Sequence, residues 1–191
     1  KSAKLKCGTW PLRRVKLVAR LGADVVEYVV VARLRVVPPL PKPYFIMPIH
    51  LKNANPAQAP HLVEFLQTVN LPTSDLPTDL SGFTLALDGE KIVGSAGLEL
   101  LGKVGLLRSV AVAETHRNHQ LGQQLFAAVL NHARSHKVRE VYLITNTADR
   151  YFEKNGFQTI ERSEAPAEIA LTEQFSALCP SSSVVMKLVL N

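Results

Sequence analysis

The chain has 191 residues, of which 47% are hydrophobic, and this is enough for one domain with a core plus an appended segment. The same composition excludes disorder along the whole chain. The cysteines are Cys7 and Cys179, so neither a disulfide framework nor a zinc site of four thiolates can be built. No apolar run reaches the roughly 18 residues of a membrane helix. We therefore expect a cytoplasmic protein without a membrane partner.

The net charge of +6 is concentrated in the first quarter of the chain. Residues 1–46 hold ten Lys and Arg against Asp24 and Glu27, a balance of +8, whereas residues 47–191 have a balance of −2. A basic segment is one feature of nucleic-acid-binding proteins, but aromatic residues that would stack on bases are sparse in it. Nucleic acid is therefore the lesser alternative as a partner.

A proline-rich connector separates the two parts. Four prolines fall within residues 38–43, which favours an extended segment. Before it, the valine runs in residues 25–31 have no clear turn between them, so we expect no stable unit there. We interpret residues 1–46 as a basic extension that is either not native or disordered, and residues 47–191 as the domain, with Met47 as its start. The alternative is that residues 25–37 add a strand to the edge of a sheet.

From residue 49 onward the pattern is regular. Strands are predicted at residues 49–53, 83–87, 91–101, 104–112, 140–145, 157–162 and 183–190. The turn Asp88-Gly89-Glu90 is a strong hairpin signal. Helices are predicted from Pro56, after residue 112, at 148–155 and at 166–178. The apolar stripe of the long helix after residue 112 comprises Leu121, Leu125, Phe126, Val129, Leu130 and Ala133.

The order β-α-β-β-β-α-β-α-β-α-β predicts an α+β domain, with a mixed sheet flanked by helices. A Walker loop is absent, and no G-x-G-x-x-G follows a strand. The sequence therefore gives little support to an enzyme that uses a nicotinamide cofactor or a nucleoside triphosphate.

Residues 106–125 hold the most informative motif. A strand that passes through a short turn into a helix presents free N–H groups and the positive end of the helix dipole, which suit a pyrophosphate, and Arg117 adds a full charge. This segment resembles the coenzyme A signature of the GCN5-related N-acetyltransferases (GNAT). Residues 151–157, Tyr-Phe-Glu-Lys-Asn-Gly-Phe, resemble the second signature of that family.

The resemblance implies a mostly antiparallel GNAT-like sheet and an N-acetyltransferase with acetyl-CoA as co-substrate. The coenzyme-binding residues that it implies are Val110, Ala111, Val112, Arg117, Asn118, His119, Gln120, Leu121, Gly122 and Gln123. Residues 97–99, 105–109 and 177–180 are similar to the ArsN-like branch from arsenic-resistance operons. That branch implies a small anionic, amino-acid-like acceptor amine, such as an organoarsenical or phosphinate analogue. The alternative is a catalytically weak coenzyme A-binding sensor or partner protein.

Two departures from the family pattern stand out. Asn118 and Gln120 occupy positions where the family has glycine, so side chains there are expected to weaken phosphate binding. Phe152 stands where many members carry a tyrosine that protonates the leaving thiolate, and Tyr151 is one residue away, about 100° around a helix. A thiolate is a fair leaving group unaided, so turnover does not require that acid.

Three residues are candidates for acceptor chemistry. Glu99, near the end of an apolar strand, is predicted to be the general base, with burial raising its pKa; an ordinary solvated strand end is the alternative. Arg108 in a central strand is predicted to bind the acceptor's anionic group, against a structural salt bridge. Ser109 is placed beside it as a substrate-binding residue.

No metal site is expected. The pairs His116/His119 and His132/His136 lack the further ligands that a metal needs, and are interpreted as phosphate-proximal or exposed and as solvated, respectively. Cys179 is expected to be packed or to line a pocket, and one thiol in the domain is too few for a soft-metal site. The expected partner is a small-molecule amine, and a homodimer stays an open alternative.

Overall fold

The computed structural model describes residues 49–117 and 120–190, together with the backbone of two strands within residues 13–32. The chain divides into two compact units, Lys1–Ile46 and Met47–Asn191. The connector at residues 38–43 and Met47 itself lie outside the described residues.

In the first unit, strands β1 (Arg13–Leu21) and β2 (Asp24–Ala32) form an antiparallel pair. The valine runs of residues 25–31 both lie in β2, so no turn is needed between them. These two strands form a sheet of their own, and the described strands of the larger sheet all come from the second unit. An isolated two-stranded ribbon is marginally stable in water. The dispensability of residues 1–46 therefore stays a prediction.

The second unit follows the predicted order of strands and helices. Its strands are β3 (His50–Asn53), β4 (Phe83–Asp88), β5 (Lys91–Leu101), β6 (Val104–Val112), β7 (Glu140–Thr145), β8 (Gln158–Ile160) and β9 (Val184–Val189). Its α-helices are α1 (Ala59–Thr68), α2 (Leu121–Ser135), α3 (Asp149–Lys154) and α4 (Ala167–Ala170). The bounds of β5, β6 and β7 are those predicted, and a 3-10 turn at Pro56–Gln58 precedes α1.

The seven strands form one mixed sheet in the order β3-β4-β5-β6-β7-β9-β8. Within this sheet β6 and β7 are parallel, and the other neighbouring strands are antiparallel. The predicted α+β fold, with a mostly antiparallel mixed sheet flanked by helices, is confirmed.

The helices cover both faces of the sheet, as the alternation of buried side chains requires. The predicted stripe of α2 is buried and packs with Ala86 and Leu107 on one face. The residues next to these in sequence, Leu85 and Leu106, point to the opposite face, where they pack with α1 and α4, respectively. Arg108 has the same parity as Leu106, so it belongs to the α4 face.

The prediction of a single helix at residues 166–178 is wrong. The structure has α4, then a break, then a π-helical turn at Gln174–Leu178. The cause is Thr172, whose hydroxyl donates to Ile169 O at 2.7 Å and accepts from Phe175 N at 3.3 Å. A hydroxyl that binds nearby backbone groups competes with helical hydrogen bonds. This break turns Gln174 toward the sheet region that holds Arg108.

Candidate active site

The parallel strands β6 and β7 separate partway along their length. They pair at Val104↔Glu140, Gly105↔Val141 and Leu106↔Tyr142, and beyond that point both strands continue without pairing to each other. The last residues of β6 therefore turn unpaired backbone groups toward a gap in the sheet. Such groups are strong hydrogen-bonding sites for a ligand that lies along the strand.

A cavity of about 560 Å³, here called the main groove, occupies this gap. Its lining comprises Val110, Ala111, Val112, His116, Arg117, Gln120, Leu121, Gly122, Gln123, Ala148, Tyr151 and Phe152. Every predicted coenzyme-binding residue that the structure describes lies in this lining. Asn118 and His119 lie outside the described residues.

The start of α2 supplies backbone donors to the main groove. Among the described residues no side chain caps this helix, and the first helical hydrogen bond runs from Gln124 N to Gln120 O at 3.0 Å. The N–H groups of residues 121–123 are consequently left without helical acceptors. Together with the helix dipole and the exposed Arg117, they form a site suited to an anion.

Gln120 adopts a backbone conformation that favours glycine. Its φ of 57° lies in the left-handed region, which costs a non-glycine residue about 1 to 2 kcal/mol. The sequence departure at this position therefore places a side chain on a backbone shaped for glycine.

Tyr151 and Phe152 have different surroundings in the main groove. Phe152 is 6% exposed and packs edge-on against Phe157, so it belongs to the core as well as to the groove wall. The Tyr151 hydroxyl lies 3.2 Å from the point that a Cβ on Gly122 would occupy. Burial raises the pKa of Tyr151 above that of an ordinary tyrosine, which is itself protonated at neutral pH. Tyr151 therefore brings a proton donor to the groove although Phe152 does not.

Ser109 bends β6 between the main groove and Arg108. Its φ is 53°, and the pairing of β5 with β6 shifts between Ser95↔Ala111 and Gly97↔Arg108. The buried Ser95 hydroxyl donates to Ser109 O at 2.7 Å and fixes this bulge. Ser109 is not among the described residues that line the main groove or the polar cavity beside Arg108. Its predicted role as a side chain that binds substrate stays a prediction.

Arg108 is held by two protein carboxylates. Its Nη2 donates to Asp75 Oδ1 at 2.5 Å, and its Nη1 donates to Glu99 Oε1 and to Asp75 O. The side chains of Arg108 and Asp75 are 2% and 4% exposed, whereas that of Glu99 is 22% exposed. The structure thus brings Glu99 and Arg108 together. Arg108 is in a salt bridge with protein carboxylates, which is the alternative to substrate binding that the sequence left open.

A polar cavity of about 110 Å³ lies against this ion pair. Its lining comprises Asp75, Glu99, Arg108, Thr172, Glu173 and Gln174. Three atoms of this lining are buried without a hydrogen-bond partner among the described residues: Asp75 Oδ2, Arg108 Nε and Gln174 Oε1. Buried polar groups are nearly always paired, so these atoms mark a place where a polar ligand fits.

Sequence reasoning missed Asp75 and Gln174. Asp75 is 33 residues from Arg108 along the chain, in a loop between two prolines that carries no motif. Gln174 falls within the helix that the sequence predicts at residues 166–178. The one available signal for Asp75 was Arg108 itself, because a guanidinium in a central strand needs an acidic partner.

Among the histidines that the structure describes, His116 is the one in the lining of these two sites. His116 lines the main groove and its Nε2 lies 3.4 Å from Asp88 Oδ2. His132 and His136 stack at 4.2 Å on α2, and burial, followed by the charge of His136, lowers the pKa of His132. This stacked pair on α2 lines neither cavity and has no further ligand among the described residues.

Family comparison agrees with this geometry. Residues 51–157, more than half of the chain, match the acetyltransferase (GNAT) family. The chain belongs to this family, and it is therefore an acetyltransferase whose co-substrate is acetyl-CoA. No curated protein sequence matched this chain.

Solved structures with the same fold include two proteins of comparable length. Rv2747 from Mycobacterium tuberculosis, in complex with CoA and NLQ, has a TM-score of 0.62 and 22% identity over 74% of this chain and 99% of its own. A GNAT-family acetyltransferase from Staphylococcus aureus has a TM-score of 0.61 and 22% identity over 75% of this chain and 99% of its own.

N-acetylglutamate synthase from Neisseria gonorrhoeae, complexed with coenzyme A and N-acetyl-glutamate, has a TM-score of 0.64 at 17% identity. The match covers 75% of this chain and 35% of the synthase, so this chain spans about a third of that protein. At these identities the likeness establishes the fold alone.

Among the residues that the structure describes, none of the helices has both the length and the apolarity to cross a bilayer.

Proposed function

We propose that this protein transfers the acetyl group of acetyl-CoA to the primary amine of a small acceptor that also carries an anionic group. One observation supports this most: Val110 lines the main groove and Arg108 lines the polar cavity, two residues apart on β6. Two residues of an extended strand span at most about 7 Å. The two cavities therefore adjoin the same short stretch of β6, and this is where the proposed thioester and amine would meet.

The main groove would hold the co-substrate. Arg117 and the N–H groups at the start of α2 would bind its pyrophosphate, and the unpaired edge of β6 would bind amides of its arm. Coenzyme-bound neighbours of the same fold, Rv2747 and N-acetylglutamate synthase, support this placement.

In the reaction, the amine nitrogen attacks the acetyl carbonyl carbon, the C–N bond forms and the C–S bond breaks, with the electron pair leaving on sulfur. The ammonium must first lose a proton, for which we propose Glu99, whose carboxylate lines the polar cavity. We propose that the Tyr151 hydroxyl, which belongs to the groove lining, returns a proton to the thiolate.

The acceptor's identity is the finer part of the proposal. The glutamate product bound by N-acetylglutamate synthase and the resemblance to the ArsN-like branch both favour an anionic amino acid or its phosphinate or arsinate analogue. A cytoplasmic location belongs to the same proposal.

The test is thiol release from acetyl-CoA across a panel of amino acids with their phosphinate and arsinate analogues, with neutral amines as comparison. We expect release with at least one anionic member of the panel. Binding of desulfo-coenzyme A without turnover of any amine would instead favour the coenzyme-binding sensor, which the departures at Gln120 and Phe152 would suit.

Replacing the proposed base isolates its role. Glu99→Gln should lower kcat and flatten the acidic limb of the pH profile, because the amide cannot accept the proton. Glu90→Gln, in the turn before the same strand, is the matched control and should keep the wild-type profile. An unchanged rate and profile in Glu99→Gln would mean that solvent or another residue takes the proton.

A further inference from the structure

Arg162 is a half-buried residue whose guanidinium has no carboxylate partner within the part of the chain that the structure describes. Its Nη2 donates to Phe175 O, and its Cζ lies 4.1 Å from the centre of the Phe175 ring. Its Nη1 is buried and has no hydrogen-bond partner among the described residues, and no ion pair joins Arg162 to an acid in the same part of the chain. A covered charge without a counter-ion is costly, so this arrangement fits a site for an anion from outside the chain.

Phe175, which Arg162 contacts, directly follows Gln174 of the polar cavity, and Cys179 lies against Gln174 as well. Burial raises the pKa of the Cys179 thiol, and the charges of Arg162, Asp75 and Arg108 all act on it. The Cys179 N–H donates to Gln174 O at 3.0 Å, and Gln174 lines the polar cavity. Cys179 is half-buried, so its thiol is a chemical probe for this region.

The polar cavity itself is suited to an ammonium group. Its lining has three carboxylates, Asp75, Glu99 and Glu173, against the one guanidinium of Arg108. The unpartnered Asp75 Oδ2 and Gln174 Oε1 are both acceptors, and an ammonium group brings three donors. The volume of about 110 Å³ is enough for a few groups of water size rather than for a large molecule.

We infer that Arg162, with the Nε of Arg108, binds the anionic group of a zwitterionic acceptor over Cys179, while Asp75 and Gln174 bind its ammonium. This inference rests on the proposed function and assigns its two charge-recognising sites. Arg162 then takes the role predicted for Arg108 as the main residue that binds the anion. The reason is that both terminal nitrogens of Arg108 are already bound to Asp75 and Glu99. Arg162 Nη1 adds an unpartnered terminal nitrogen, whereas only the Nε of Arg108 is unpartnered.

The test compares the free acid of each panel amino acid with its methyl ester, which keeps the amine and removes the negative charge. Wild type should have a KM for the acid at least about tenfold below that for the ester, the size expected for a charge-assisted contact. Arg162→Met should raise the KM for the acid about tenfold, and leave the ester and acetyl-CoA values unchanged. Arg162→Lys should restore part of the preference, because it restores the charge.

The matched control is Arg134→Met on α2, which removes an exposed arginine away from both cavities and should change no kinetic constant. On the ammonium side, Asp75→Asn should raise the KM of acid and ester alike, whereas Asp79→Asn in the same exposed loop should not. Equal effects of Arg162→Met on acid and ester, or no effect on either, would overturn the assignment of Arg162.

A second readout does not depend on turnover or on the stability of a variant. In full-length protein carrying Cys7→Ser, maleimide labelling of Cys179 should be slowed by the free acid and not by its ester. Absence of thiol release with every amine would overturn the proposed function, yet selective protection by the acid would still support the anion site. Turnover of amines with no preference for the acid, and no protection, would overturn this inference alone.

Discussion

Gln120 carries backbone strain at the point where α2 meets the main groove. A φ of 57° is disfavoured for glutamine but free for glycine, and the side chain stands beside the proposed phosphate site. Gln120→Gly should therefore tighten binding of desulfo-coenzyme A, measured by calorimetric titration, with little change in acceptor KM.

Lys137 provides the matched control for Gln120. It has nearly the same backbone conformation, with φ of 58°, but follows the opposite end of α2, away from the main groove. Lys137→Gly should leave coenzyme affinity unchanged. If both substitutions alter affinity equally, release of strain in α2 is the cause and crowding at the phosphates is not.

Arg117 is the charged residue of the main groove nearest to the start of α2. Its exposed guanidinium has no ion pair among the described residues, so it is free to bind phosphate. Arg117→Ala should weaken desulfo-coenzyme A binding by about 1.5 to 3 kcal/mol, the range for a charge-assisted hydrogen bond. Arg134→Ala, on α2 away from the groove, should bind as wild type does; equal affinities in both variants would remove Arg117 from the coenzyme site.

At the scale of elements, Arg108 ties the loop of residues 69–82 to the sheet. Asp75 is the anchor of that loop, and its buried carboxylate would lose its counter-charge in Arg108→Met. Breaking a buried pair from one side costs about 3 to 5 kcal/mol. The thermal midpoint should fall by on the order of 10 °C, at roughly 2 to 4 °C per kcal/mol for a domain of this size.

A double variant separates this electrostatic cost from simple loss of packing. Asp75→Leu in the Arg108→Met background should recover part of the midpoint, because no unpaired buried carboxylate then remains in the loop. A double variant less stable than Arg108→Met would show that packing of the loop, rather than its charge, depends on Arg108.

The elements that sequence predicted best are those with strong local signals. The turns at Gly89 and Gly102, both at positive φ, set the bounds of β5 and β6, and the apolar stripe of α2 is buried as expected. The helix at residues 166–178 was mispredicted because one hydroxyl, that of Thr172, redirects the backbone. Composition and periodicity do not encode such a contact.

The main groove and the polar cavity also differ in how far the sequence predicts them. The main groove is built largely from one continuous stretch of sequence, residues 110–123, so its motif was visible. The polar cavity brings together Asp75, Glu99, Arg108 and Gln174 from four separate segments. Contacts between distant segments depend on the completed sheet, so no local pattern predicted them.

For the whole molecule, residues 1–46 are expected to be dispensable for catalysis. The described strands of the seven-stranded sheet, and the lining of both cavities, come from the second unit. Deleting residues 1–46 should leave the thermal midpoint of the remaining domain and its kcat/KM nearly unchanged, measured by calorimetry and by thiol release.

The alternatives for this segment have distinct signatures. If its +8 charge serves nucleic acid, the full chain should bind duplex DNA with an affinity that falls steeply with salt, and the shortened chain should not bind. A shortened chain that is insoluble or inactive would contradict the view that residues 47–191 suffice.

The separation of β6 from β7 also has a consequence for the dynamics of the sheet. Among the described residues, strand pairing between β3 to β6 and the group of β7, β9 and β8 is limited to the three residue pairs that end at Leu106↔Tyr142. A molecule in the main groove would touch β6 on one side and Tyr151, which follows β7, on the other. Such a molecule would hold the two parts of the sheet together and oppose their separation. Coenzyme binding should therefore slow amide hydrogen exchange in β7 and β9, although these strands contribute no residue to the groove lining.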